Sequence, residues 1–297
     1  MRAPAGHGDR GILAGDLPAG AAVDAQRAAQ EAGLVVRAAE SVPEVDALIR
    51  VGEAVWGPQG TFTRNELRAL AFAGSVVLGA YDRRDEDSGP VGFLVGFLGW
   101  NGGLHLHSHQ TGVLPARRGG GVGYALKLAQ REICLRRDID EVRWTFDPLV
   151  RRNAWFNLRR LGARAERFHP DFYGRMSDAV NENDLSDRLE AVWSLCDPVP
   201  ADPPEEGRLS PGAAPGTARP AVLVAADGRP RETGLPPSAG HHVAIPADFG
   251  RLRDEDPARA RDWRLAVRRV LGAAYGAGLR IGRIDGDGYV LTEAHGD

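Results

Sequence analysis

The alternation of hydrophobic and polar positions predicts an ordered domain that begins at residue 34. Leu34–Arg37 has the apolar character of a first strand, and apolar residues recur at helical spacing from Val42 onward. A second helix is predicted over Thr63–Phe72, because a threonine and a glutamate three residues later have the spacing of a capping box. Residues 1–33 lack a sustained period and are rich in alanine and glycine, so we expect a disordered leader there, with at most a helical turn near Ala21–Glu31.

Three β-rich runs follow the two helices, and the turn residues between them predict an antiparallel meander. The runs are Ser75–Tyr81, Val91–Gly99 and Leu104–Val113. The period then changes to that of a helix, with apolar residues three and four positions apart from Val122 to Ile133.

A short strand, a helix and another extended run complete this part of the chain. They are predicted at Glu141–Phe146, Asn153–Arg160 and Ala163–Tyr173. We place one domain, which mixes strands and helices, at residues 34–196.

A proline-rich stretch separates this domain from the C-terminal residues. Seven prolines stand among glycine and alanine in residues 197–220, which predicts a linker that cannot enter the interior of a sheet. Residues 221–297 then carry four short strand candidates and one amphipathic helix from Pro257 to about Tyr275. We interpret them as a smaller C-terminal unit of strands and helix.

The composition argues against several classes of protein. The chain of 297 residues has 37 Lys and Arg against 40 Asp and Glu, so no overall field favours nucleic acid or an anionic membrane. Its two cysteines are too few for a disulfide framework and lack the spacing of a structural zinc site. No run approaches the ~20 apolar residues that span a bilayer. We expect a cytoplasmic protein without nucleic-acid or membrane partners.

The most informative motif is a glycine-rich turn at the start of the helix after the meander. Val113 and Leu114 close a strand, and the turn then consists of Arg117, Arg118, Gly119, Gly120, Gly121, Val122 and Gly123. The first amides of a helix lack intrahelical acceptors and carry the positive end of its dipole, and glycine lets an anion come close. The turn therefore predicts a phosphate site, with a flexible surface turn as the alternative.

Two related phosphate motifs do not fit this turn. No Gly-Lys-Ser/Thr ending completes a P-loop, and no acidic residue stands where a dinucleotide fold requires one. Coenzyme A remains as the candidate ligand. The run Arg118-Gly119-Gly120-Gly121-Val122-Gly123 meets the signature Arg/Gln-x-x-Gly-x-Gly/Ala, and by it the chain resembles the GNAT superfamily of acyl-CoA-dependent N-acyltransferases.

The resemblance extends through about residues 34–196. Shorter motifs, among them His107-Ser108-His109, Asn153–Asn157 and Phe172-Tyr173-Gly174, look like a poorly characterised bacterial branch of that superfamily with a C-terminal extension. The resemblance implies an α/β (α+β) fold, in which helices flank a mixed, largely antiparallel sheet and a smaller C-terminal α+β unit follows.

The same resemblance implies where acyl-CoA would bind as co-substrate. Its pyrophosphate would lie on the glycine turn beside Arg118, and the strands Leu106–Val113 and Val142–Phe146 would flank the thioester. Asn153 either contacts the coenzyme or caps its own helix.

Three alternating histidines, His105, His107 and His109, are predicted to share one face of the strand before the turn. Histidine is suited to take the proton of an attacking amine because its ordinary pKa is near neutral. Counted back from Val113, His107 stands where several members of the superfamily carry a catalytic glutamate, so the resemblance implies His107 as the base and His109 as the second candidate. The alternative is a structural strand face with cross-sheet hydrogen bonds, and no third ligand of matching spacing supports a metal site.

The residue that protonates the leaving thiolate is less evident. Many relatives in the superfamily have a tyrosine where this chain has Leu158, so the resemblance implies that the usual acid is missing. Tyr173 is the first candidate to replace it and Tyr124 the second, although an aromatic residue at either position also suits core packing.

These features together predict an N-acyltransferase that moves an acetyl or succinyl group from acyl-CoA to the amine of a small molecule, an amino acid among the candidates. The arginine pairs at 151–152 and 159–160 could receive a carboxylate, or they could form a solvated helix face. A catalytically silent acyl-CoA-binding module and a protein-modifying acetyltransferase are the alternatives. The oligomeric state, including a homodimer, is left open.

Overall fold

The computed structural model describes residues 16–58, 60–174, 184–200, 220–234 and 236–294. Their contacts divide the chain into two compact units. The first holds the residues up to Val55 together with Thr61–Val142, and the second holds Trp56–Gly60 and the residues from Arg143 onward. No helix within the described ranges is both long enough and apolar enough to cross a membrane.

The first unit contains four helices and a four-stranded antiparallel arrangement. The helices are α1 (Asp16–Glu31), α2 (Val42–Trp56), α3 (Arg64–Phe72) and α4 (Val122–Leu135), and the strands are β1 (Leu34–Ala38), β2 (Val76–Asp82), β3 (Pro90–Gly99) and β4 (His105–Val113). The strands pair in chain order. The predicted meander is therefore confirmed, and so is the capping box of α3, in which Thr63 and Glu66 bond each other's backbone.

Helix α1 corrects the prediction of a disordered leader for residues 16–31. The helix packs against α4 and β1, with Ala21 and Ala28 buried one above the other on its inner face. Arg131 of α4, itself buried, forms an ion pair with Asp24 at 3.4 Å. The sequence indicated at most one helical turn near Ala21–Glu31, and packing against α4 and β1 stabilises a helix of sixteen residues. Residues 1–15 of the predicted leader lie outside the described part of the chain.

The boundary between the two units falls within β5, after Val142. The strands of the second unit are β5 (Glu141–Phe146), β6 (Arg164–His169), β7 (Arg188–Ser194), β8 (Pro220–Val224), β9 (Pro230–Glu232), β10 (His242–Ala244), β11 (Leu279–Asp285) and β12 (Gly288–Glu293), and its helices are α5 (Arg151–Trp155), α6 (Phe249–Glu255) and α7 (Pro257–Gly276). A π-helical turn, Phe156–Arg160, extends α5. The strand order is β5-β7-β6-β11-β12-β10-β8-β9.

The fold class predicted from the sequence is confirmed. Most strand pairs are antiparallel, β8 and β10 are parallel, and α4 and α7 pack on the strands of their own units. The compact units differ from the predicted domains, however. Strand β11 pairs with β6 at Ile281 and Ala165, so the C-terminal strands belong to the same unit as residues 143–194. Most of the predicted linker, residues 201–219, lies outside the described ranges, and Pro220 already begins β8.

A buried ionic cluster joins α7 to the end of β5 in the second unit. Arg264, which is 1% exposed, donates to both carboxylate oxygens of Asp147 at 2.7 and 2.6 Å and to Asp184 at 2.8 Å. Burial alone would raise the pKa of Asp147, but the charge and hydrogen bonds of Arg264 and the charge of Arg188 hold that pKa below its ordinary value. Asp147 is thus committed to an ion pair within the fold.

The first unit buries a different kind of charge-bearing side chain. Lys127 of α4 is 3% exposed, and its amine donates to the hydroxyl of Ser108 on β4 at 2.9 Å. Burial lowers the pKa of this amine to about 7, and burial raises the pKa of the neighbouring Cys134 thiol to about 12. The amine is therefore poised to lose its charge near neutral pH, while the thiol stays protonated.

Arg264→Met should lower the free energy of unfolding by roughly 3–5 kcal/mol, because it leaves the buried carboxylate of Asp147 and the partly buried one of Asp184 without their closest cation. Without that cation, burial should raise the pKa of Asp147, so the variant should recover part of the loss as the pH falls from 7 to 5. Wild type should not gain stability in this range. Urea unfolding at both pH values measures the difference, and Arg261→Met at an exposed position of the same helix is the control. Equal losses in the two variants would contradict a special role of the cluster.

Lys127→Met should raise the free energy of unfolding at pH 7. The folded pKa is about 7 against an ordinary 10.5, so between these values the unfolded chain binds more protons and wild type gains stability as the pH rises. Near neutrality the buried lysine costs on the order of 4 kcal/mol. Methionine has a similar length and no charge, so the advantage of the variant should shrink toward pH 10.5. The control is Arg136→Met at the exposed end of α4. If the gain in stability does not change with pH, or if Arg136→Met shows the same gain, burial of the lysine is not its source.

Candidate functional site

The glycine turn joins the end of β4 to the start of α4. After Val113 the amide of Leu114 donates to Val91 at 3.0 Å, and Pro115–Arg117 form a single 3₁₀ turn. Gly119 and Gly121 have φ angles of 79° and 77°, in the left-handed region that favours glycine. Gly121 is the N-cap of α4. The sequence of the turn therefore follows from its backbone conformation.

The turn leaves room for an anion at the positive end of α4. Ala125 donates to the carbonyl of Gly121 at 2.9 Å, so the amides of Val122 and Gly123 precede the hydrogen-bond ladder of the helix. A side chain on Gly119 would meet no atom within 4 Å, and one on Gly120 would meet only the carbonyl of Arg117 at 3.4 Å. This exposed, uncovered backbone fits a pyrophosphate such as that of coenzyme A.

The two arginines of the turn have different surroundings. Arg117 donates to Asp82 at the end of β2 at 2.8 Å, and both side chains are about one-third exposed. The pKa of Asp82 is lowered by the backbone amide of Arg84 and by this bond. Arg118 is exposed, and its Nε lies 3.4 Å from the carbonyl of Val113. Arg117 therefore anchors the turn, and Arg118 presents more of its guanidinium to solvent.

A β-bulge interrupts β4 at the histidines. Val95 of β3 is opposite Gln110 and Gly96 is opposite Ser108, so His109 is the extra residue of the pair. The bulge was not predicted from the alternation of residues. It changes the local register at the point where the sequence had placed the candidate bases.

His107 and His109 lie together on one face of β4. Their ring centroids are 5.8 Å apart, and both rings contact Phe97, at 5.3 and 5.7 Å. The edge of Phe62 covers His109 at 5.4 Å. Desolvation lowers the pKa of His109, although part of the residue reaches solvent. A neutral imidazole at neutral pH can accept a proton.

The third histidine of this strand is held by the fold. His105 is 2% exposed, and its Nδ1 lies 2.9 Å from the carbonyl of Gly103. Its ring covers Gly99, where a side chain would come within 2.4 Å of the imidazole. His105 therefore packs the β3–β4 hairpin.

Ser108, between the two candidate bases, points to the opposite side of β4. Its hydroxyl accepts hydrogen bonds from Lys127 at 2.9 Å and from the Gln130 amide at 3.1 Å. No sequence pattern predicted that these three residues meet. The one signal available was that Lys127 is the lone lysine of the chain.

Tyr173 and Asn153 belong to the second unit. The Tyr173 hydroxyl lies 3.3 Å from Thr145 Oγ1, and its ring, 44% exposed, packs edge-on against Phe172. Asn153 is exposed inside α5, whose N-cap, Val150, provides no side-chain cap. The alternative of a capping asparagine is therefore not found, and the predicted contact of Asn153 with the coenzyme stays a prediction.

Metal ligation was also weighed for the histidine pair. Within the described ranges, no group of three or more His, Cys, Asp or Glu residues is arranged to hold a metal ion. His107 and His109 have aromatic neighbours, Phe97 and Phe62.

No family model and no curated protein matches this chain. Among solved structures, it is similar to a protein from Desulfovibrio desulfuricans described as an acetyltransferase of the GNAT family, with 16% identity over 55% of this chain and 99% of that one and a TM-score of 0.41. It is similar to Chaetomium thermophilum Naa20, in complex with a bisubstrate analogue, with 18% identity over 54% and 86% of the two chains and a TM-score of 0.44.

A third similar structure is the ribosomal-protein-S18-alanine N-acetyltransferase of Escherichia coli, with 10% identity over 57% of this chain and 98% of that one and a TM-score of 0.42. The likeness in each case covers a little over half of this chain. The description of the Desulfovibrio desulfuricans protein names the GNAT family, whose signature the sequence of the glycine turn resembles.

Proposed function

We propose that this chain is an acyl-CoA-dependent N-acyltransferase that acetylates or succinylates the amine of a small molecule, with amino acids among its acceptors. The observation that carries the proposal is the glycine turn, in which Gly119 and Gly121 have left-handed φ angles and Gly119–Gly121 are exposed directly before the first residue of α4. An anion held there gains hydrogen bonds and the attraction of the helix dipole together. The chain has two cysteines, buried Cys134 and exposed Cys196, which are too few for a disulfide framework and favour a reducing compartment such as the cytoplasm.

The residues proposed to hold the co-substrate are those of the turn. The amides of Gly119–Gly123 would bind the pyrophosphate, and the exposed guanidinium of Arg118 would add a cation beside it. Val113 and Leu114 would line the approach to the turn from β4, and Asn153 is proposed as a further contact. When bound, acyl-CoA supplies an acyl group that is already activated as a thioester.

The histidine pair is proposed to handle the proton of the acceptor. An amine attacks only in its neutral form, so a group that accepts its proton raises the rate. The lowered pKa of His109 keeps that imidazole uncharged at neutral pH, and His107 lies beside it at 5.8 Å between ring centroids. Either ring can therefore act as the base, directly or through a water. Tyr173 is proposed as the proton donor to the leaving thiolate.

Gly120→Val should abolish binding of coenzyme A while leaving the fold intact. Gly120 does not have a left-handed φ, and a side chain there has ordinary contact distances, so the change should fill the anion site without strain. Gly121→Val is less informative because its φ of 77° would strain any other residue. Thermal unfolding with and without coenzyme A measures the effect, since a ligand of the native state raises Tm.

The control for this change is Gly276→Val at the end of α7, where a side chain also meets no atom within 4 Å. Gly276→Val should keep the full ligand-induced shift in Tm. A normal shift in Gly120→Val would remove the glycine turn from the proposed site.

Substitution of the histidines should lower kcat/KM by about 10²–10⁴-fold for whichever ring is the base, the usual range for general acid–base catalysis. His107→Ala and His109→Ala serve as each other's control, and His169→Ala on β6 should have no effect. The loss should shrink at high pH, where more of the amine is neutral. Thiol release is measured with a panel of small amines, amino acids and peptides, using acetyl-CoA and succinyl-CoA.

Three outcomes of this assay are distinct. Coenzyme binding without thiol release from any acceptor would indicate a silent binding module. Release with peptides alone would indicate a protein-modifying enzyme. Full activity in both histidine variants across pH would exclude the pair as the base.

A further inference from the structure

The lone lysine of the chain occupies an unexpected place. Among 37 lysine and arginine residues, Lys127 alone is a lysine, and it lies fully inside the first unit between α4 and β4. Its amine donates to Ser108 Oγ at 2.9 Å and lies 3.4 Å from Gln130 Oε1, while Gln130 Nε2 donates to the same hydroxyl at 3.1 Å. Ser108, Lys127 and Gln130 thus form a triangle of hydrogen bonds in the core, in which both longer side chains donate to the serine hydroxyl.

This triangle is not needed for packing. Apolar side chains of similar volume often replace buried charged groups with no loss of stability or with a gain. Leu126 and Leu128 on either side of Lys127 are fully buried, so the helix has no shortage of apolar contacts here. A buried amine that is expected to lower the free energy of unfolding is therefore better explained by the residues that it holds in position.

What it holds is the bulged part of β4. Ser108 stands directly between His107 and His109, and its partner in β3 is Gly96, at the edge of the bulge. A bulge is a point where strand register can change, and a slip by one residue would turn each side chain to the other face of the sheet. The hydrogen bonds that Lys127 and Gln130 donate to Ser108 hold its side chain toward α4. The neighbouring imidazoles consequently point toward Phe97.

We propose that Lys127 is a positioning residue, which together with Gln130 pins Ser108 and thereby sets the register and orientation of His107 and His109. The catalytic part of this inference rests on the proposed function. The structural part, that the triangle orients the imidazoles, does not. The two parts can be tested separately.

The structural part is tested by NMR of the histidine rings in full-length protein. The Cε1–H signals of His107 and His109 are assigned from the signals that disappear in His107→Gln and His109→Gln. Lys127→Met and Ser108→Ala should shift or broaden both signals, whereas Ser108→Thr, which keeps the hydroxyl, should preserve them. His169 in the second unit is the internal reference. Unchanged signals of His107 and His109 in both Lys127→Met and Ser108→Ala would overturn the proposal.

The catalytic part is tested by comparing stability with turnover in the same variants. Lys127→Met should raise Tm at pH 7 and leave the affinity for coenzyme A within about twofold, yet lower kcat by roughly 10-fold or more with little change in KM. A residue with only a structural role would lose Tm and activity together. Gln130→Leu provides a second variant, which should also lower kcat but should not raise Tm, because it keeps the buried lysine.

The outcomes separate this proposal from the proposed function. If wild type releases no thiol with any acceptor but the imidazole signals move as expected, the enzyme assignment fails and the positioning role stands. If wild type is active and Lys127→Met keeps full kcat with unmoved signals, the positioning role fails and the enzyme assignment stands.

Discussion

The close approach of α4 to the strands beneath it is the constraint on which the candidate site depends. A side chain on Gly92 of β3 would come within 2.7 Å of Val122, and one on Gly96 would lie 3.0 Å from Gln130. Because neither position has a side chain, the helix lies directly on the strands along its length. The first amides of α4 consequently lie near the end of β4. The middle turns of α4 contact the face of β4 opposite His107 and His109. One packing interface thus positions both the glycine turn and the strand that carries His107 and His109.

Much of this arrangement could be predicted from local patterns. The meander, the glycine turn and the helix after it follow from period and turn chemistry, which depend on residues close in sequence. The shared face of His107 and His109 also follows from alternation along a strand. Gly119 and Gly121 were predicted as part of an anion site, and their left-handed φ angles explain why glycine is required there.

The features that could not be predicted depend on partners distant in sequence. Helix α1 is stabilised by an alanine face against α4, which leaves almost no hydrophobic signal. The bulge at His109 is a property of its pairing with β3. Arg264 was indistinguishable from the exposed arginines of α7, because only the fold brings Asp147 to it from 117 residues away. The pairing of β6 with β11 likewise joins residues that no local pattern connects.

The burial of Lys127 has a chemical consequence for the whole surface. Since it is the lone lysine of the chain, the folded protein presents no lysine ε-amine to solvent. Reactive thioesters acylate exposed lysines without a catalyst, because an ammonium of ordinary pKa is always partly deprotonated. Arginine keeps its proton and does not react in this way. The folded chain is therefore inert at its lysine toward acyl thioesters, the class of compound that we propose for its glycine turn.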